Sequence, residues 1–127
     1  MVSFFEVIWL FDRTTNPPKP KMMVCLSYDD GFFLRINTSD KFRPCVAISN
    51  AENTWLDHDS YIECALLEID EFELDESVMR NGIIGTVAFS CLDQVKDKLL
   101  SAKYLRPDDK RTLEAIFRSK TSSSPHT

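Results

Sequence analysis

The sequence predicts a mostly β domain closed by one or two C-terminal helices. Three observations carry this reading. Short runs rich in aromatic and β-branched residues, each bounded by turn-forming residues, recur through the first half of the chain. The pair Asp30-Gly31 separates two of these runs and supplies the positive φ that a tight hairpin needs. Apolar residues at helical spacing with end signals appear only in the C-terminal part: Leu92, Val95 and Leu99 in one segment, then Leu113, Ile116 and Phe117 in a second.

Taken in order, Phe4–Phe11 is the first strand, apolar at nearly every position, so both of its faces are expected to be covered. Asn16–Pro20 holds three prolines in four residues and reads as a stiff loop of polyproline character. Lys21–Ser27 and Phe32–Asn37 are the two arms of the hairpin. Cys45–Ser49 is a short fourth strand, Asn50–Asp59 a loop, and Ser60–Leu67 a fifth strand. The acidic stretch Glu68–Glu76 mixes apolar periods and is expected as a short strand or turn. Asn81-Gly82 is a turn before a short apolar element, Ile83–Val87. Ser90-x-x-Asp93 suggests an N-cap for a helix to about Ser101. Pro107, with Asp108 and Asp109 beside it, opens a second helix. A chain of 127 residues suits one hydrophobic core. The expected organisation is one domain over residues 1–118 and a polar, disordered tail over residues 119–127.

Composition limits the functions available. The formal net charge of −5 argues against indiscriminate attraction to nucleic acid while leaving room for a local basic cleft. The apolar stretches are too short to span a bilayer, and Met1–Phe5 lacks the basic start of a secretory signal, so a cytoplasmic protein with no membrane partner is expected. Cys25, Cys45, Cys64 and Cys91 form no Cys-x-x-Cys pair and are expected as buried, reduced thiols, with no metal site and no cofactor. Phosphate-loop, serine-hydrolase and zinc-protease motifs are all missing. His58-Asp59-Ser60 reads in two ways: His58 as a proton carrier or phosphate ligand near neutral pH, or Asp59 and Ser60 satisfying backbone amides in a loop. Trp55, set among polar residues, is the aromatic side chain best placed in sequence to stack on a base.

Four segments follow one another in a suggestive order. Lys21-Met22-Met23-Val24-Cys25-Leu26-Ser27 leads, and Arg35-Ile36-Asn37-Thr38-Ser39 ends a strand in a Thr-Ser pair. Leu56-Asp57-His58-Asp59-Ser60-Tyr61-Ile62 and then Gly85 through Leu99 come later. This order resembles the PemK/MazF family of toxin endoribonucleases over roughly Lys21–Leu100. In that family an Arg-Pro-led strand (Arg-Pro-x-x-Val-x-Ser) precedes a strand ending in Thr-Ser, and a closing Gly-x-Leu-Ser step leads into a helix. The resemblance implies an SH3-like barrel, usually dimeric, partnered by an antitoxin, that cleaves single-stranded RNA without a metal by attack of the ribose 2′-OH. It places Lys21, Thr38, Ser39 and His58 in catalytic roles and Arg35, Arg43 and Trp55 in RNA contact. Two departures stand out: Lys21 replaces the family's arginine, and Met22 replaces its proline. Arg43-Pro44-Cys45-Val46-Ala47-Ile48-Ser49 matches the Arg-Pro strand better by letter, but no Thr-Ser strand follows it before Ser60. The alternative function is a non-catalytic SH3-like module that grips a protein partner and has lost the catalytic arginine.

Overall fold

The computed structural model describes residues 1–121. Its strands are β1 (Glu6–Asp12), β2 (Lys19–Ser27), β3 (Phe32–Asn37), β4 (Cys45–Ile48), β5 (Ser60–Glu63), β6 (Leu67–Glu68) and β7 (Gly85–Thr86). Helix α1 (Glu71–Asn81) lies between β6 and β7, and α2 (Leu92–Leu100) and α3 (Pro107–Thr121) end the described chain. The strands form an antiparallel half-barrel in the order β4-β5-β3-β2-β1-β7, and β6 also pairs with β3.

The hairpin forms where the sequence places it. Val24 faces Leu34 and Met23 faces Arg35, and the register slips between Cys25 and Ser27 beside the turn. Gly31 holds φ +71° and its N–H donates to the Tyr28 carbonyl at 3.1 Å. β3 then divides its second edge. Its start, Phe32 and Phe33, pairs with β6, while Ile36 and Asn37 pair with β5. The expected fifth strand, Ser60–Leu67, is therefore two short strands. It breaks at Cys64, whose N–H donates to the Pro44 carbonyl at 2.8 Å.

Side chains alternate across the sheet with period two, and each face has its own core. One face carries Val7, Val24, Leu34, Ile36 and Ile62 against Val95, Leu99, Leu113 and Phe117 of α2 and α3. The other carries Ile8, Leu10, Met23, Cys25 and Phe33 against Leu74 of α1. Leu92, Val95 and Leu99 are all buried, as the i, i+3, i+7 stripe predicts. Cys25, Cys64 and Cys91 are buried and Cys45 half-buried, all with free thiols. Burial pushes the Cys25 and Cys64 thiols up to about 12 and that of Cys91 to about 11, which suppresses thiolate chemistry at neutral pH.

The largest departure from expectation is α1, where a short strand or turn is predicted. Asp70 caps it, accepting from the Phe72 N–H at 3.1 Å, and Glu71 and Glu73 sit in its first turn. The Gly82 N–H closes the other end on the Val78 carbonyl at 2.9 Å. The apolar pattern hides this helix because Phe72 and Met79 point into water, while only Leu74 and Ser77 are buried. With α1 included, helix takes about 31 % of the described residues and strand about 28 %, so the β-rich sheet carries a helix more than the one or two expected. Smaller corrections follow. β2 starts at Lys19, setting Pro20 opposite Phe11 where a loop is expected. Ser90 is not an N-cap; a 3-10 turn over Phe89–Cys91 leads into α2 with no side-chain cap. Helix α3 runs to Thr121, three residues into the expected tail that begins at residue 119, and residues 122–127 of that tail lie outside the described part. Among the described residues no helix is long and apolar enough to cross a membrane.

Gly31 is the position where the hairpin admits no side chain. A Cβ there would lie 2.4 Å from the Ile69 carbonyl oxygen, and the backbone is already left-handed. Gly31→Ala is expected to lower stability by about 1–3 kcal/mol, the scale for a strained left-handed residue, as a drop in the urea midpoint at unchanged m-value. An unshifted midpoint would show that the chain after β6 yields freely at Ile69.

Candidate functional site

The sheet face under α1 is only partly covered. Beyond Leu10, Met23 and Phe33, the next inward positions are polar: Asp12 on β1, Lys21 and Lys19 on β2, Arg35 and Asn37 on β3, and Glu63 on β5. These follow from strand alternation, because Leu10 pairs with Lys21 and Met23 with Arg35. None of the residues lining this region comes from α1, so it stays open as a cleft of about 640 Å³. Thr14, Thr15, Asn16 and Pro17 wall one side, and Thr38, Ser39, Lys41 and Phe42 the other.

A connected polar network forms the floor. Arg35 donates through Nε to Asp12 Oδ2 at 2.6 Å, through Nη2 to Thr14 Oγ1 at 2.8 Å, and meets Glu63 Oε2 at 3.4 Å. Thr14 donates to Asp12 Oδ1 from its hydroxyl at 2.6 Å and from its backbone N–H at 2.9 Å. Asn37 Nδ2 donates to Glu63 Oε1 at 2.9 Å, and Lys21 Nζ donates to Asn37 Oδ1. Every buried side-chain polar atom among the described residues has a partner.

The electrostatics follow from this geometry. Burial works against the Asp12 carboxylate, but hydrogen bonds from Thr14 and Arg35 outweigh it and hold the carboxyl below its usual range. Burial depresses the Lys21 ammonium, and the charges of Arg35 and Lys19 add to this, against the pull of Asp12 and Glu63. The cleft gathers four cations, Lys19, Lys21, Arg35 and Lys41, against two carboxylates, Asp12 and Glu63, in a chain whose net charge is −5. It is a local basic site on an acidic protein.

The sequence-predicted site residues divide into two groups. Lys21, Arg35, Thr38 and Ser39 line the cleft together. Arg43, His58 and Trp55 do not line it. Arg43 is exposed and pairs with Asp40 at 3.1 Å. The His58 ring is exposed, with Nδ1 3.0 Å from the Asp59 carbonyl oxygen. Its neighbours close the loop: Asp59 Oδ1 accepts from the Asn50 N–H at 2.9 Å, and Ser60 Oγ donates to the His58 carbonyl at 3.1 Å. Asp59 and Ser60 thus bond backbone groups of this loop, Asp59 an amide and Ser60 a carbonyl. Trp55 packs on Gly85, where a Cβ would meet the indole at 2.4 Å, and its Nε1–H donates to the Thr86 carbonyl at 3.1 Å. That packing holds it at β7 rather than at the cleft rim. Sequence reasoning missed Asp12, Thr14, Lys19, Asn37, Lys41, Phe42 and Glu63. Asn37 was accessible by alternation from Arg35, and Asp12 and Glu63 as charged residues closing short strands. Among the described residues, no group of three or more His, Cys, Asp or Glu side chains is placed to hold a metal ion.

No protein-family model matches the chain, and neither a curated protein nor a solved structure does.

Proposed function

We propose that the cleft binds the backbone of single-stranded RNA and cleaves it, as a divergent PemK/MazF-like endoribonuclease on an SH3-like barrel. The observation that carries this reading is the convergence of Lys21, Arg35, Thr38 and Ser39 on one open basic cleft of an otherwise acidic chain. Lys21 and Arg35 supply cationic donors for a phosphate, and Thr38 and Ser39 supply hydroxyls. Such donors stabilise the charge that builds on the phosphorane as the 2′-OH attacks. Lys21 meets the phosphate as a point charge and lacks the planar fork of the family's arginine. Glu63, at 15 % side-chain exposure against 3 % for Asp12, is the carboxylate better placed to take the 2′-OH proton, in the part assigned to His58 by resemblance. A cognate antitoxin and a homodimer belong to the same reading.

One observation favours the non-catalytic module. Both cleft carboxylates are already engaged by Arg35 and Asn37, which leaves neither as an unencumbered base. Incubating the purified protein with a long single-stranded RNA in EDTA separates the two. The proposal expects discrete cleavage products carrying 2′,3′-cyclic phosphate ends. Intact RNA across pH 6–9 would leave a binding module.

A further inference from the structure

We infer that Phe42 is the nucleobase-stacking platform of the cleft, an inference that rests on the proposed RNA-binding function. Phe42 stands on the cleft wall and exposes 48 % of its surface, although it is a large apolar side chain. It belongs to neither hydrophobic core, so packing does not account for it. The ammonium of the adjacent Lys41 lies 5.6 Å from its ring centroid. The ammonium lies over the ring, so an aromatic ring and a cation are presented together at the cleft wall, and a base stacking there would displace or share that contact. That pairing matches one nucleotide, whose base needs a π-surface and whose phosphate needs a positive charge. The floor cations Lys21 and Arg35 meet the backbone further in. Among the described residues no other aromatic side chain lines this cleft: Trp9, Phe11, Phe72, Phe89 and Tyr104 are exposed elsewhere, Trp55 is held at β7, and Phe33 is buried in the core beneath α1. Stacking tolerates any base, since each has a π-face. Phe42 therefore adds affinity for unpaired bases over phosphate alone, without selecting a sequence.

Fluorescence anisotropy on the full chain tests this with three probes. They are a labelled single-stranded RNA octamer made uncleavable by 2′-O-methylation, the same backbone without bases, and inorganic polyphosphate as competitor. Phe42→Ala is expected to weaken octamer binding roughly tenfold, within the range for removing one stacking aromatic. Phe42→Trp should bind at least as tightly as the parent. Neither change should alter binding of the abasic backbone or competition by polyphosphate. A parent that binds the octamer while Phe42→Ala binds it equally well overturns the stacking role alone. Equal losses on the octamer and the abasic backbone also overturn it, because the effect is then on the wall and not on the base. A parent that binds neither strand overturns the RNA-binding function itself, and the stacking role with it.

Discussion

Replacing Arg35 by Ala is expected to lower stability by about 3–5 kcal/mol at pH 7, the scale for removing one member of a buried ion-pair network. Arg35 is 14 % exposed and its strongest partner, Asp12, only 3 %. Without the guanidinium, Asp12 keeps its bonds from Thr14 but stays buried as an uncompensated anion, and Glu63 loses its cationic neighbour. The pH dependence fixes the sign. In the parent, the Asp12 carboxyl titrates below its ordinary value, so its contribution is present above about pH 4 and is lost as pH falls through the lower folded value. In Arg35→Ala the opposing effect of burial gains weight, so protonating Asp12 relieves the mutant. The gap between parent and variant should therefore be widest at neutral pH and narrow toward pH 4. Urea unfolding at pH 7 and pH 4 measures both. A gap under 1 kcal/mol, or one that grows on acidification, would mean that water compensates Asp12 and that Arg35 is not structural. Arg35→Lys is the informative second variant. It keeps the charge but cannot reach Asp12, Thr14 and Glu63 at once, so it should recover only part of the loss.

How much of this was legible in the sequence depended on how far apart the interacting residues lie. The hairpin was legible because Asp30-Gly31 fixes its turn locally and Phe32–Asn37 is rich in β-prone aromatic and branched residues. Helices α2 and α3 were legible because Leu92, Val95 and Leu99, then Leu113 and Phe117, keep helical spacing and are all buried. Helix α1 was not, because Phe72 and Met79 are exposed and blur its apolar face. Its end signals, Asp70 before an acidic turn and Gly82 after Arg80, were the usable evidence. In the cleft, Lys21, Thr38 and Ser39 could be paired from the hairpin alone, since one arm opens at Lys21 and the other closes before Thr38. The floor could not. Arg35 meets Asp12 across 23 positions and Glu63 across 28, and both contacts depend on strand pairings that a single sequence does not specify. The displacement of Trp55 likewise depends on β7 returning to β1, which sets Gly85 beside it.

If the cleft cleaves RNA, Lys21→Ala and Thr38→Ala should each lower the single-turnover rate by about a hundredfold, the scale for losing a donor that stabilises developing charge. Lys21 is the more demanding case. Its ammonium is partly desolvated and held by the Asn37 side chain, so it is positioned before a phosphate arrives and needs little rearrangement to meet one. Lys21→Arg restores a cation with a planar fork, the residue type of the family's pattern, and should recover most of the rate if the phosphate is met there. Glu63→Gln keeps one acceptor oxygen, enough for Asn37 or for Arg35 but not for both, and cannot take a proton. Its rate should fall by 10²- to 10⁴-fold, the usual range for a positioned general base. His58→Ala supplies the opposing outcome. If it abolishes cleavage while Lys21→Ala and Glu63→Gln do not, the chemistry lies in the loop before β5 and the cleft assignment fails. Single-turnover rates on a short labelled RNA, with thermal melts confirming that each variant is folded, decide between the two.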